Sequence, residues 1–353
     1  MALALTLARR GLGRVWPNPA VGCVIVGQDG NIVGRGWTQD GGRPHAETEA
    51  LRAAGVRARG ATAYVSLEPC AHRGQTGPCA QALIDAGVAH VVSAIEDPDP
   101  RVAGKGHAML GSAGVSVKAG VLAAQARQVN AGFFSKTMRG RPFVTLKLAT
   151  TLDGRIALPS GESRWITGDD ARRHGHLERA CHDAVLVGIG TALADDPELT
   201  CRLPGVRMHG PVRIVVDTKA RLPIESKLVS AAGKVPVWLL TTQASPALKA
   251  AGVQVFEVPS SASGVDLSTA LKVLAGEGLT RVLVEGGASL SAALLNAGLV
   301  DRLIWYRAAT VMGEGISAVA SLGHGALKDL PRFKREETIR LGEDVLETYR
   351  PAT

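Results

Sequence analysis

The chain has 353 residues, 46% of them hydrophobic but only 4% aromatic, with 42 glycines; that length sets two domains of Ala-, Val- and Leu-rich α/β layers as the expectation. The formal charge of +8 fits an Arg-rich surface or attraction to small anions, while no Lys/Arg run interleaved with aromatics marks a nucleic-acid surface and no stretch reaches the length of a membrane span. Five cysteines, an odd number without a secretory leader, argue against a disulfide framework and place the chain in a reducing cytoplasm.

Leu3, Leu7 and the alanines recur at helical spacing and predict a helix over 1–13, ended by Gly11 and Gly13. Pro17 and Pro19 then force an extended turn around Asn18. Ala20–Val26 reads as a buried strand, paired with Ile32–Trp37 across Gln28-Asp29-Gly30-Asn31; Cys23 sits in that strand as a core residue. His45 follows Pro44 and opens a helix running through Ala54, so His45 and Glu47 share a helix start. The strand 61–67 delivers Glu68-Pro69-Cys70, and Cys79 opens the helix CAQALIDAGV, closed by Gly87. A strand at 90–95, a loop through Lys105, a helix at 107–113, a strand at 115–118 and one polar helix over 122–136 complete the first half. The boundary falls near Arg139-Gly140-Arg141-Pro142, giving domains 1–140 and 141–353.

One His and two Cys are ligands of the type Zn²⁺ prefers, and three protein ligands leave a fourth position for water, the catalytic form of a zinc site. His45, Cys70 and Cys79 are therefore the metal ligands and Glu47 the proton carrier. His-x-Glu followed by Pro-Cys and a further Cys is the pattern of zinc-dependent nucleobase deaminases, in which the Glu is not a ligand. The usual Cys-x-x-Cys is stretched here, with residues 71–78 between the two cysteines. A tRNA or nucleobase deaminase carrying an accessory domain shares His-x-Glu, but would show the short spacing and leaves the second half unexplained.

In that half the strand Phe143–Ala149 runs into Thr150-Thr151-Leu152-Asp153-Gly154, and a helix at 168–181 carries Arg172, Arg173 and Arg179. After the strand 184–188 comes Thr191-Ala192-Leu193-Ala194-Asp195-Asp196-Pro197, reaching Leu199 and Arg202. Arg179 and Arg202 are charge-matched to a phosphate, which a guanidinium grips in a bidentate way. The strand 212–216 ends at Asp217, where an acid would favour the ribose 2′-hydroxyl of NADH; Thr218, Lys219 and Arg221 crowd the same corner and favour the 2′-phosphate of NADPH. Strands at 235–241, 253–258 and 282–284 follow, the last ending in Glu285-Gly286-Gly287 before a helix whose start suits a phosphate. No nucleophile or metal set is visible in this half, which fits hydride transfer from a bound cofactor.

The Pro17–Val26 segment, the long Cys70–Cys79 loop with His72, the Thr191–Arg202 segment and Glu285-Gly286-Gly287 together resemble the bifunctional riboflavin-pathway deaminase–reductases, over roughly residues 1–345. The resemblance implies an N-terminal cytidine-deaminase-like α/β/α domain and a C-terminal dihydrofolate-reductase-like α/β domain. It implies Zn²⁺ and NADPH as cofactors and a phosphoribosyl pyrimidine as substrate, with no nucleic acid or membrane partner; a homo-oligomer stays open. By the same resemblance Asn18, His72, Thr76, Lys105, Ser163, Arg179, Leu199, Arg202 and Glu285 meet the substrate. Ala149, Trp165, Thr191, Asp195, Thr218, Gly286, Gly287, Ala288, Ser289 and Leu290 meet NADPH. Asp195 and Glu285 are the candidates for donating a proton or orienting the sugar.

Overall fold

The computed structural model describes every residue except 73–76, 101, 207–209, 263 and 353. The chain divides into two compact units, Met1–Gly140 and Arg141–Thr353.

In the first unit, α1 (Ala2–Ala8) precedes the hairpin of β1 (Gly22–Val26) and β2 (Ile32–Trp37). Then come α2 (Ala46–Ala54), β3 (Thr62–Val65), α3 (Cys79–Asp85), β4 (His90–Ser93), α4 (Lys105–Ser112) and β5 (Ser116–Lys118), followed by α5 (Ala123–Val129) and α6 (Ala131–Arg139). The sheet order is β2-β1-β3-β4-β5, antiparallel at β1 and parallel from β3 onward. Helices α3 and α4 make the crossovers that parallel pairing demands. The core is rich in small residues: Ala46, Ala50, Ala63 and Ala80 are fully buried beside Ile25, Val65, Leu83 and Leu110. Close packing of α2 on β2 depends on Gly36, where a Cβ would fall 2.2 Å from the Ala46 carbonyl oxygen. That contact fixes the height of the helix start carrying His45 and Glu47.

Two expected elements differ. The first helix stops at Ala8 and tightens into a 3₁₀ turn ending at Gly11. The single helix over 122–136 is two helices broken at Asn130. The buried Asn130 amide explains the break: its Oδ1 accepts from the Ala20 N–H at 2.9 Å and its Nδ2 donates to the Ala20 carbonyl at 3.1 Å. A side chain thus satisfies backbone that no strand reaches.

The second unit begins with β6 (Phe143–Thr150), β7 (Arg155–Ala157), α7 (Asp169–Ala180), β8 (Ala184–Gly188), α8 (Ile189–Asp195) and β9 (Val212–Val216). It continues with α9 (Lys227–Ser230), β10 (Val237–Thr241), α10 (Pro246–Ala250), β11 (Gln254–Glu257), β12 (Ser260–Ser261), β13 (Gly264–Val265) and α11 (Leu267–Gly276). It ends with β14 (Arg281–Val284), α12 (Ala288–Asn296), β15 (Arg302–Arg307), β16 (Ile316–Ser317), β17 (Phe333–Leu341) and β18 (Asp344–Pro351). The nine-stranded sheet runs β11-β10-β9-β8-β14-β6-β15-β18-β17. From β11 to β15 all neighbours are parallel; β18 and β17 close the edge antiparallel. Buried on both faces, the central strands read as apolar runs such as AVLV at 184–187 and VWLL at 237–240. β14 returns between β8 and β6, so the carboxyl ends of β6, β8, β9 and β14 border one edge. Open parallel sheets bind ligands outside such ends.

Candidate active sites

In the first unit three segments meet. His45 is the extended residue that starts α2, after Pro44. Cys70 ends the segment that continues β3, and Cys79 is the first residue of α3. His45 Nδ1 lies 3.2 Å from Cys79 Sγ and 3.8 Å from Cys70 Sγ, and all three ligand atoms fall within 4.8 Å of one another. Tetrahedral Zn²⁺, with bonds of about 2.3 Å to sulfur and about 2.1 Å to nitrogen, holds its ligand atoms roughly 3.6–3.8 Å apart. The donor set therefore fits zinc in both kind and spacing. The Cys79 N–H donates to Cys70 Sγ at 3.3 Å, fixing the pair across the long insert.

Cys70 is pulled down to about 4, first by its hydrogen bond from Cys79 and then by His45, while the same contact pushes Cys79 up. A thiolate is the form a metal requires. Glu47, in the first turn of α2, is only 3% exposed; burial first, then the charge of Cys70, pushes its carboxyl up to about 7. A buried acid that exchanges protons near neutrality suits a proton carrier.

Around this centre, Asn18 Nδ2 donates to the Gly42 carbonyl at 3.4 Å, holding it on the turn before His45. His72 is half-buried, with a buried Nδ1 that has no hydrogen-bond partner among the described residues. Thr76 lies outside the described residues. Lys105 is exposed and donates to the Pro100 carbonyl of its own loop at 3.0 Å. The sequence did not single out Asp97: burial, above all, pushes its carboxyl up to about 7, and both Glu68 and Cys70 act on it.

In the second unit the residues gather at the strand ends described above. Arg179 donates to both oxygens of Glu285, from Nε at 2.5 Å and Nη2 at 2.9 Å, and through Nη1 to the Thr200 carbonyl at 2.8 Å. Lys147 Nζ stands 3.8 Å from Glu285. Burial alone would raise the Glu285 carboxyl, but Arg179 and Lys147 outweigh it and hold the group near about 2. Between two cations Glu285 is held in its ionised form at neutral pH, which favours the orienting alternative over the proton-donor one. Lys147 and His176 were missed. His176 lies one helical turn before Arg179, and its imidazole feels Arg179, Arg202 and Glu285; only the three-residue spacing on α7 hinted at this.

Thr191, on α8, faces the Gly-Gly turn: a Cβ on Gly287 would sit 3.3 Å from its hydroxyl. Ala288, Ser289 and Leu290 form the first turn of α12. Leu199 is buried with φ of 53°, in the left-handed region. Ala149 lies on β6 opposite Tyr306. The Asp195 carbonyl accepts from Arg164 Nη2 at 3.2 Å, which links the 163–165 segment to α8; Ser163 is half-buried there. Trp165 is 66% exposed, with the Arg172 guanidinium 4.7 Å from its ring. Arg202 pairs at 3.4 Å with Glu198, both side chains more than half exposed. Thr218 accepts the Thr242 hydroxyl on its carbonyl at 2.8 Å. The neighbouring acid, Asp217, is fully buried; it takes the Leu222 N–H at 2.9 Å and stands 3.7 Å from Arg221. Both of these contacts lie within its own turn.

A buried acid beside a His/Cys/Cys centre defines a zinc-dependent deaminase unit, here followed in the chain by a parallel-sheet unit of the kind that binds a nucleotide cofactor. Residues 1–95 match the cytidine and deoxycytidylate deaminase zinc-binding region, and residues 142–346 match the RibD C-terminal domain. Over 98% of this chain and 96% of its relative, it is 43% identical to the riboflavin biosynthesis protein RibD of Escherichia coli K12. Its fold is that of Acinetobacter baumannii RibD, with a TM-score of 0.91 at 40% identity, covering 100% of this chain and 98% of that one. It is also that of a diaminohydroxyphosphoribosylaminopyrimidine deaminase/5-amino-6-(5-phosphoribosylamino)uracil reductase from Thermotoga maritima, with a TM-score of 0.88 at 35% identity, covering 100% and 97%. The chain belongs to the RibD family of riboflavin biosynthesis proteins. It is a bifunctional deaminase and reductase with Zn²⁺ and NADPH as cofactors, acting on a phosphoribosyl pyrimidine. The accessory-domain reading falls away, because the family accounts for both halves.

Proposed function

We propose that the first unit, 1–140, deaminates 2,5-diamino-6-ribosylamino-4(3H)-pyrimidinone 5′-phosphate and that the second, 141–353, reduces the ribosyl group of the product to ribityl. The observation that carries the first assignment is the convergence of His45, Cys70 and Cys79 beside the buried Glu47. His45, Cys70 and Cys79 hold zinc. When bound, zinc supplies the Lewis acidity that makes water a nucleophile near neutral pH. Glu47 carries one proton from the attacking water to the ring nitrogen, then a second from the added hydroxyl to the departing amine. Water and an amino-bearing ring carbon become a carbonyl and ammonia. Asn18 holds the ring side, and His72, Thr76 and Lys105 the phosphate side.

In the second unit NADPH supplies the hydride when bound, and a proton completes the reduction of the sugar carbon. Arg179 and Arg202 meet the phosphoribosyl group, while the ionised Glu285, with Ser163 and Leu199 beside it, orients the sugar. Thr191, Asp195, Thr218 and the Gly286–Leu290 turn receive the cofactor, flanked by Ala149 and Trp165. A small-molecule partner without nucleic acid and a cytoplasmic setting complete the reading. Among the described residues no helix is long and apolar enough to cross a membrane.

The test follows ammonia release and NADPH oxidation separately on the diaminopyrimidine ribotide. Ammonia without NADPH, and NADPH oxidation only after ammonia, is the expected order. A zinc-loaded sample that releases no ammonia overturns the substrate assignment.

A further inference from the structure

Glu68 precedes the Pro-Cys pair, and its role differs from what its position suggests. The carboxylate is 3% exposed as a residue and its side chain is fully buried. With Glu96 and His107 it forms a second cluster of metal-type donors. Its oxygens are already committed, however. Oε2 accepts the N–H of Asp97 at 3.2 Å and of Gly104 at 2.9 Å, and Oε1 accepts the N–H of His107 at 3.1 Å. Three N–H groups aimed at one carboxylate occupy both lone pairs of Oε2 and one of Oε1, and the His107 ring faces what remains of Oε1 at 3.8 Å, an arrangement that suits an anion held by donors better than a metal ligand.

The start of α4 explains the need. Its N-cap is Gly104, in the left-handed region at φ 78°, and no side chain of its own caps it. The first N–H groups of a helix require acceptors. Glu68 supplies them from just beyond the end of β3, taking the N–H of Gly104 and the N–H three residues on. His107, held through Nε2 by the Ser93 hydroxyl at 2.8 Å, brings its Nδ1 to 3.8 Å from the same carboxylate. Gly106 completes the seat: a Cβ there would fall 1.9 Å from the Pro69 carbonyl oxygen and 3.2 Å from Glu68 Cγ. The loop from Asp97 to His107 is thus wound on the Glu68-Pro69 step that ends in Cys70.

We infer that Glu68 is a positioning residue, whose carboxylate holds the 97–107 loop as one wall of the pyrimidine site without binding metal or substrate. The inference rests on the deaminase reading of that centre. A wall held by hydrogen bonds acts on substrate binding more than on the chemical step, so its loss belongs in KM.

The experiment uses full-length zinc-loaded protein and two variants. Glu68→Gln keeps the volume but turns an amide NH₂ toward N–H donors; Gly106→Ala pushes the loop off its seat with Glu68 intact. Both are expected to raise KM for deamination by about tenfold or more while kcat stays within about threefold. Zinc content and reductase kinetics stay at wild-type values, and amide exchange quickens over 97–107 alone. Wild-type KM and wild-type exchange in both variants overturn the inference, as does loss of zinc from Glu68→Gln. Should Glu68→Gln not fold, Gly106→Ala carries the same readouts. Absence of ammonia release from the wild type would sink the deaminase reading instead, and the exchange comparison still decides the role of Glu68.

Discussion

The two sites are built in opposite ways. The zinc centre draws its ligands from two helix starts and one strand end, all within a short span of chain, and its chemistry is written in side-chain type. The reductase site draws charge from β6, α7 and the turn after β14, more than a hundred residues apart between Arg179 and Glu285. No single one of those residues is diagnostic, and their meaning arises from mutual neutralisation. A ligand cluster fails all at once when one member is lost. A charge network fails by degrees, through the partner left behind.

The largest effect should come from Cys79→Ala. Zinc and deaminase activity are both lost, read by metal analysis and ammonia release, while NADPH oxidation on the deaminated substrate continues. Glu47→Gln separates binding from chemistry: zinc stays at the wild-type ratio while kcat for deamination falls by roughly 10²–10⁴, the share a positioned proton carrier contributes. Deamination intact in Glu47→Gln would be falsifying for the role given to that residue.

The reductase predictions are smaller. Glu285→Ala leaves the half-buried Arg179 and Lys147 without their anion; breaking a fully buried pair from one side costs about 3–5 kcal/mol, and partial exposure puts this network below that. Thermal unfolding of the second unit should drop accordingly, with reductase kcat/KM reduced and deamination unchanged. Equal stability would mean that solvent already screens the pair.

The pH response should be milder and fall on the same unit. Burial first of all lowers the His182 imidazole from its ordinary 6.5 to about 4. Its Nδ1 faces the Glu178 carbonyl at 2.6 Å and its Nε2 the Thr145 hydroxyl at 2.9 Å. The unfolded chain therefore binds a proton that the folded chain refuses. That contribution to stability is complete above about pH 6.5 and is lost as pH falls toward about 4, by at most about 3 kcal/mol at roughly 1.4 kcal/mol per unit. Glu285 acts in the same direction lower down: ionised in the fold to about 2, its contribution is present above about pH 4.5 and lost between there and about 2. Unfolding midpoints measured from pH 7 to 4 should therefore fall, and should fall less in His182→Gln.

The contrast also explains what could be read in advance. His45, Glu47, Cys70 and Cys79 were legible because zinc chemistry restricts residue type and because Pro44 and Pro78 mark the helix starts that present His45 and Cys79. The strand ends of the second unit were legible as apolar runs closed by Asp217 or by Glu285-Gly286-Gly287. The break at Asn130 was not, since it depends on one amide meeting the backbone of Ala20 across the fold. Nor was the state of Glu285, which read as a free acid until Arg179 and Lys147 stood beside it.

What the sequence determined by itself is therefore most of the strands and helices, the candidate zinc-donor set and the family, because each rests on local periodicity or on donor types that suit one chemistry. Tertiary structure alone decided which acids are ionised, which loops are seated and which cations share a partner. Those properties follow from burial and from distances of a few ångströms between residues far apart in the chain, and linear spacing carries no record of either.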